Sequence, residues 1–130
     1  MAHAAHRVLL VDDYPDTLEM YRLALEVSGF EVVTAISSGE GLRIVREQPI
    51  AAIVLDLHMP GVDGLGFMRA LAADPHTRTI PRIVLTADAR PSTEFEVRTS
   101  FNPAGYVIKP CAPDHLVSLV RSVVGPKAAP

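Results

Sequence analysis

A chain of 130 residues that is 48% hydrophobic suits one compact domain with a core of its own. The formal charge of -3, with no lysine- or arginine-rich block, argues against a general nucleic-acid surface. The single cysteine, Cys111, cannot close an internal disulfide, and the start "MAHAAHRVLL" lacks the apolar length of a signal peptide or membrane span, so a cytoplasmic location is expected.

Along the chain, short apolar runs alternate with longer amphipathic ones. "RVLLVDD" predicts a strand, "PDTLEMYRLALEVSGF" a helix opened by Pro15 and stopped by Gly29, and "EVVTA" a second strand. Ser37 and Glu40 have the spacing of a capping box for a helix reaching about Glu47. The alternation continues through "AAIVLD" (strand), "GLGFMRALAAD" (helix), "PRIVLTA" (strand), "STEFEVRTSF" (a weaker helix), "GYVIKP" (strand) and "PDHLVSLVRSVV" (helix). Unbroken Val/Ile/Leu runs imply strands buried on both faces, hence a parallel sheet between two layers of helices. The expected fold class is α/β, a flavodoxin-like doubly wound (βα)5 with strands in the order 2-1-3-4-5. Residues 1–124 form the expected domain, and "GPKAAP" at 125–130 has the composition of a tail or linker stub.

In such sheets ligands bind beyond the carboxyl ends of the strands. There the first strand ends in Asp12 and Asp13, the third in Asp56, the fourth in Thr86, and the fifth in Lys109 followed by Pro110. Three carboxylates a few ångströms apart repel by roughly 4 kcal/mol per pair at an effective dielectric near 20, so they call for a cation. An all-oxygen donor set favours Mg2+. Lys109 adds a fixed positive charge and Thr86 a hydroxyl suited to phosphoryl oxygens, and an aspartate carboxylate is a known phosphoryl nucleophile. The set has the makings of an acyl-phosphate pocket.

Taken together, "VDD", "LDLHMPGVDG", "LTA" and "GYVIKP", in this order and spacing, make nearly the whole chain resemble a receiver domain of two-component response regulators, of the single-domain chemotaxis-regulator kind. The resemblance implies that Asp56 accepts a phosphoryl group from a histidine kinase or histidine phosphotransfer protein. Asp12, Asp13, Asp56 and the backbone carbonyl of His58 would arrange Mg2+, with Asp12 acting through water. Thr86 and Lys109 would contact the phosphoryl group, Lys109–Pro110 would be a cis peptide, Tyr106 would be the switch aromatic, and the small Ala87 would leave the approach open. It also implies no turnover of an outside substrate, only self-phosphorylation and dephosphorylation. The implied partners are the phosphodonor, a downstream effector protein and, on phosphorylation, a second copy; nucleic acid and membrane insertion are not among them.

The same residues admit plainer roles. Asp12 or Asp13 could cap the first helix, Thr86 could be an ordinary β-branched strand residue, Lys109 a snorkelling surface lysine, and Tyr106 simple packing. Met59, Pro60, Gly61 and Gly64 have the character of turn residues. A ring-ligated metal at His58 lacks a second nearby histidine, and His3, His6, His76 and His115 are too scattered for a metal cluster.

Two departures from the family pattern stand out. Asn102 and Pro103 predict an early or irregular end to the fourth helix, and His58 and Asp88 stand two residues beyond Asp56 and Thr86, where the family tunes the lifetime of the aspartyl phosphate. Competing readings are an aspartate-nucleophile phosphatase, which expects a second aspartate where His58 stands, and a pseudo-receiver that binds protein without being phosphorylated. A nucleotide-binding protein would need a GxxxxGK[ST] loop after the first strand, which is missing. A stand-alone messenger, a relay intermediate and a piece of a longer regulator or hybrid kinase all fit.

Overall fold

The computed structural model describes residues 6–59 and 64–124, so the predicted tail at 125–130 and the turn residues Pro60 and Gly61 lie outside the described residues. Strands and helices alternate from end to end: β1 (Arg7–Val11), α1 (Pro15–Val27), β2 (Glu31–Ala35), α2 (Ser38–Glu47), β3 (Ala52–Leu55), α3 (Gly64–Ala73), β4 (Arg82–Thr86), α4 (Pro91–Phe101), β5 (Gly105–Ile108) and α5 (Pro113–Val124). The strands make one parallel sheet in the order β2-β1-β3-β4-β5, a flavodoxin-like α/β fold.

Register explains the unbroken apolar runs. Val8 pairs with Ala52 and Val11 with Leu55, and Leu55 pairs in turn with Val84. Successive strand residues then fall on opposite faces. Leu9, Val11, Ile53, Leu55 and Val84 pack with Phe67, Met68 and Leu71 of α3, Ile44 and Val45 of α2, and Val97 of α4. Val8, Leu10, Val54, Ile83 and Leu85 pack on the other face with Leu18, Tyr21 and Leu25 of α1 and Leu116, Val117 and Val120 of α5. Both faces need cover, so the middle positions of the central strands are apolar and polar side chains are confined to their ends.

Local chemistry ends the helices where the sequence predicts. Pro15 opens α1. At its other end Gly29 has φ 99°, its N–H donates to the Glu26 carbonyl, and the Phe30 N–H donates to the Leu25 carbonyl, the paired closing bonds of a Schellman motif. Ser37 caps α2 by accepting from the Glu40 N–H. The Glu40 carboxylate reaches back to the Ile36 N–H at 2.9 Å, one residue beyond the usual capping-box partner. Helix α4 runs to Phe101 and stops at Asn102, which adopts the left-handed conformation (φ 45°, ψ 61°) ahead of the buried Pro103. Asparagine tolerates that conformation better than other side-chain-bearing residues, and proline cannot continue a helix.

Arg82 is the surprise of the core. It opens β4 yet is only 7% exposed, and its guanidinium donates to the carbonyls of Thr77 at 3.0 Å and Arg78 at 3.1 Å, while its Nε has no hydrogen-bond partner. Burial lowers its pKa. The side chain braces the connection between α3 and β4.

Candidate functional site

Four strands deliver the predicted residues to one edge of the sheet. Asp12 follows β1 and Asp56 follows β3, and each is held by the neighbouring strand: the Asp12 N–H donates to Ala35 and the Asp56 N–H to Val11. Both are buried, at 6% and 9% exposure. A buried carboxylate needs partners, and these have them. Asp12 Oδ1 accepts from the Tyr14 N–H at 2.9 Å and Asp56 Oδ1 from the His58 N–H at 3.1 Å. Their other oxygens share one cation, since Lys109 Nζ lies 2.6 Å from Asp12 Oδ2 and 3.0 Å from Asp56 Oδ2. Burial works against the charge on Lys109, but the hydrogen bonds to Asp12 and Asp56 outweigh it and raise the lysine pKa above its ordinary value.

The plainer role for the acidic pair is set aside by this geometry. The N-cap position of α1 belongs to Tyr14, which makes no side-chain cap bond, so neither Asp12 nor Asp13 caps the helix. Lys109 is not a snorkelling surface residue either, because it is mostly buried between two carboxylates. Asp13 is exposed, and among the described residues it makes no hydrogen bond. Among the described residues no group of three or more Asp, Glu, His or Cys side chains stands ready to hold a metal. The donor chemistry is nonetheless that of a hard cation. Asp12 and Asp56 already turn oxygens to a common positive charge, and Asp13 and the His58 carbonyl follow directly on the same two loops.

Thr86 is fully buried at the end of β4, where its Oγ1 accepts from the Asp88 N–H at 3.2 Å and its carbonyl accepts from the Lys109 N–H at 2.7 Å. The Lys109–Pro110 peptide is cis. Tyr21 donates its hydroxyl to the Cys111 carbonyl at 2.7 Å, tying α1 to the loop that carries Lys109. Tyr106 is partly buried, donates to the Asp88 carbonyl at 3.4 Å and lies beneath the Arg98 guanidinium, 5.8 Å from the ring centroid. Thr86 and Tyr106 therefore meet on the backbone of one residue.

That residue, Asp88, carries more contacts than the sequence signals. Its carboxylate accepts from Arg90 Nε (3.0 Å), Arg90 Nη2 (2.7 Å), the Arg90 N–H (3.0 Å) and Thr93 Oγ1 (3.0 Å), and pairs with His58 Nε2 at 2.7 Å. The Arg90 guanidinium first, then the His58 ring, hold its pKa well below the usual carboxylate range. His58 and Asp88 lie two residues past Asp56 and Thr86, in the loops that follow the neighbouring strands β3 and β4.

Gly64 is the other residue whose importance is hidden. It opens α3, its N–H donates to the Leu57 carbonyl at 2.8 Å, and a Cβ there would lie 2.5 Å from Leu57 Cα and 2.6 Å from the Asp56 carbonyl oxygen. The start of α3 rests directly on the backbone that presents Asp56.

Known proteins resemble this chain in sequence and in fold. Residues 8–121 match the family model described as the response regulator receiver domain. The chain is 37% identical to the transcriptional regulatory protein PrrA of Mycobacterium tuberculosis over 121 residues, which cover 91% of this chain and 49% of that protein. It thus spans about half the length of these relatives. It is also 30% identical to the polar-differentiation response regulator DivK of Brucella ovis, over 91% of this chain and 95% of that one. Among solved structures, the chemotaxis protein CheY4 of Vibrio cholerae superposes with a TM-score of 0.86 at 28% identity, covering 92% of this chain and 99% of that chain.

Proposed function

From the premise that this chain belongs to the response regulator receiver domain family, we propose that Asp56 is its phosphoacceptor and that phosphorylation changes which partner it binds. The observation that carries this reading is the Lys109 ammonium shared between Asp12 and Asp56 at the ends of β5, β1 and β3. A lysine so placed can follow the charge as it moves from carboxylate to phosphoryl oxygen without leaving its position.

In the proposed reaction a carboxylate oxygen of Asp56 attacks the phosphorus of a phosphohistidine. The bond to the imidazole nitrogen breaks as the acyl-phosphate bond forms, and the leaving imidazole keeps the electron pair. Asp12, Asp13, Asp56 and the His58 carbonyl would hold Mg2+, which would supply neutralisation of phosphoryl charge. Lys109 then pairs with one phosphoryl oxygen. The Thr86 hydroxyl donates to another, and to reach it must release the Asp88 N–H it now accepts. Tyr106, which shares the Asp88 backbone through its hydroxyl, turns into the space Thr86 leaves. The change reaches a surface made by α4, β5 and α5, residues 93–122.

The phosphodonor in this reading is a histidine kinase or histidine phosphotransfer protein, and the location is the cytoplasm; among the described residues no helix is long and apolar enough to cross a membrane. Incubation with acetyl phosphate and Mg2+ followed by intact-mass analysis tests the acceptor. One phosphoryl adduct is expected in wild type and none in Asp56→Asn. An adduct retained in Asp56→Asn moves the acceptor elsewhere, and no adduct on wild type favours a protein-binding module that is never phosphorylated.

A further inference from the structure

The bonds around Asp88 form an unbroken chain from the acceptor to α4 that bypasses the Thr86 hydroxyl. Asp56 Oδ1 accepts the His58 N–H at 3.1 Å, His58 Nε2 pairs with Asp88 Oδ2 at 2.7 Å, and the same Oδ2 accepts from Thr93 Oγ1, in the first turn of α4, at 3.0 Å. The His58 side chain is 58% exposed, whereas that of Asp88 is 5% exposed, enclosed by its own partners. Helix α4 has little else to hold it. Among the described residues Val97 is its one fully buried member, Phe95 stands 72% exposed, and the N-cap residue Arg90 makes no side-chain cap bond. An element with so few buried contacts sits at the low end of local stability, where one charge-assisted hydrogen bond is a large share of what keeps it in place.

We propose that Asp88 is a latch: through His58 it ties the acceptor loop to the first turn of α4, so that α4 senses the state of Asp56 through the Asp88 carboxylate, in addition to the Asp88 backbone groups held by Thr86 and Tyr106. A phosphoryl group on Asp56 takes the oxygen that now accepts the His58 N–H, the His58 ring moves with its backbone, and Asp88 keeps Arg90 and Thr93 but loses its anchor on the loop after β3. Helix α4 is then free to reposition. Two arrangements of one weakly packed helix, biased from one end, are what such a device requires. The trigger rests on the proposal that Asp56 is the acceptor; the latch itself exists in the unmodified protein and can be tested there.

Amide hydrogen exchange on the unmodified full chain separates the two. His58→Ala cuts the acceptor end of the latch and Thr93→Val cuts the helix end. Each is expected to speed exchange at residues 94–97 by about fivefold or more while leaving residues 116–120 in α5 at wild-type rates. The double variant should be no faster than either single one, because both remove the same connection. His58→Gln, which keeps an N–H donor within reach of Asp88, should restore protection. The latch is overturned if His58→Ala leaves residues 94–97 unchanged, if it speeds α4 and α5 equally, if the two single effects multiply in the double variant, or if His58→Gln is as unprotected as His58→Ala. With beryllofluoride and Mg2+, Thr86→Ala should still shift the resonances of α4, and Thr86→Ala/His58→Ala should not. A latch present in the exchange data but with no adduct on Asp56 would refute the acceptor while leaving the latch standing.

Discussion

Three glycines at the starts of helices invite the same substitution and should answer it differently. Replacing glycine by alanine in a helix gains at most about 1 kcal/mol from backbone entropy, and the space around the new methyl decides whether that gain survives. At Gly39 a Cβ meets nothing within 4 Å, so Gly39→Ala should stabilise by about 0.5–1 kcal/mol. At Gly41 it meets the side chains of Phe67 and Val11 at 3.2 Å, which can give by a few tenths of an ångström, so the gain and the crowding nearly cancel. At Gly64 the contacts are 2.5 Å to Leu57 Cα and 2.6 Å to the Asp56 carbonyl oxygen, both backbone. Relief needs a shift of roughly 1 Å, and overpacking of this kind costs about 1–3 kcal/mol, so Gly64→Ala should be net destabilising by about 1–2 kcal/mol and lower Tm by several degrees. One displaced atom belongs to Asp56, the proposed acceptor, and the other to its neighbour Leu57, and a misplacement near 1 Å can cost up to about a hundredfold in rate. Thermal unfolding and the rate of adduct formation from acetyl phosphate, measured on all three variants, check the series. A Gly64→Ala protein as stable as wild type and phosphorylated as fast would refute the claim that α3 rests on the acceptor backbone.

Two further outcomes follow from the buried cations. Because the folded state raises the Lys109 pKa, the lysine's contribution to stability is complete below its unfolded value of about 10.5 and is lost as pH rises through the folded value; denaturant titrations should show an alkaline loss of stability that is missing in Lys109→Met. Arg82→Ala should cost about 2–4 kcal/mol in urea unfolding, since it strips the carbonyls of Thr77 and Arg78 of their donor and leaves a cavity, whereas Arg82→Met, which fills the space and removes a buried charge with an unpartnered Nε, should cost less than half as much. Equal losses in the two would show that the guanidinium's bonds, not its volume, dominate.

The parts of this structure visible in the sequence are those governed by short-range pattern. Apolar runs such as "AIVL" must be strands covered twice, and a carboxylate, hydroxyl or lysine immediately after each run must lie on the outgoing edge, so Asp12, Asp56, Thr86 and Lys109 could be placed together before any coordinates. Asn102 before Pro103 marked the end of α4 for equally local reasons. What stayed hidden depends on pairs remote in the chain. His58 and Asp88 are separated by 30 positions, and only the register of β3 against β4 makes them neighbours. Nothing local to Arg82 signals that the loop after α3 folds over it. Gly64 had turn character, and its closeness to the Asp56 carbonyl is a three-dimensional fact with no periodic signature.

The groups gathered around Lys109 come from β1, β3, β4 and β5, and no stretch of chain supplies more than a fraction of them. A peptide carrying Asp56 alone has neither its cation nor the backbone N–H of a registered neighbour. A one-residue slip of any strand would turn its terminal side chain to the opposite face. The proposed phosphoacceptor pocket is therefore a property of the finished sheet and of no single segment. On the proposed reading of Asp56, a phosphoryl mark can be written only after the edge strand β5, which delivers Lys109, has docked on β4.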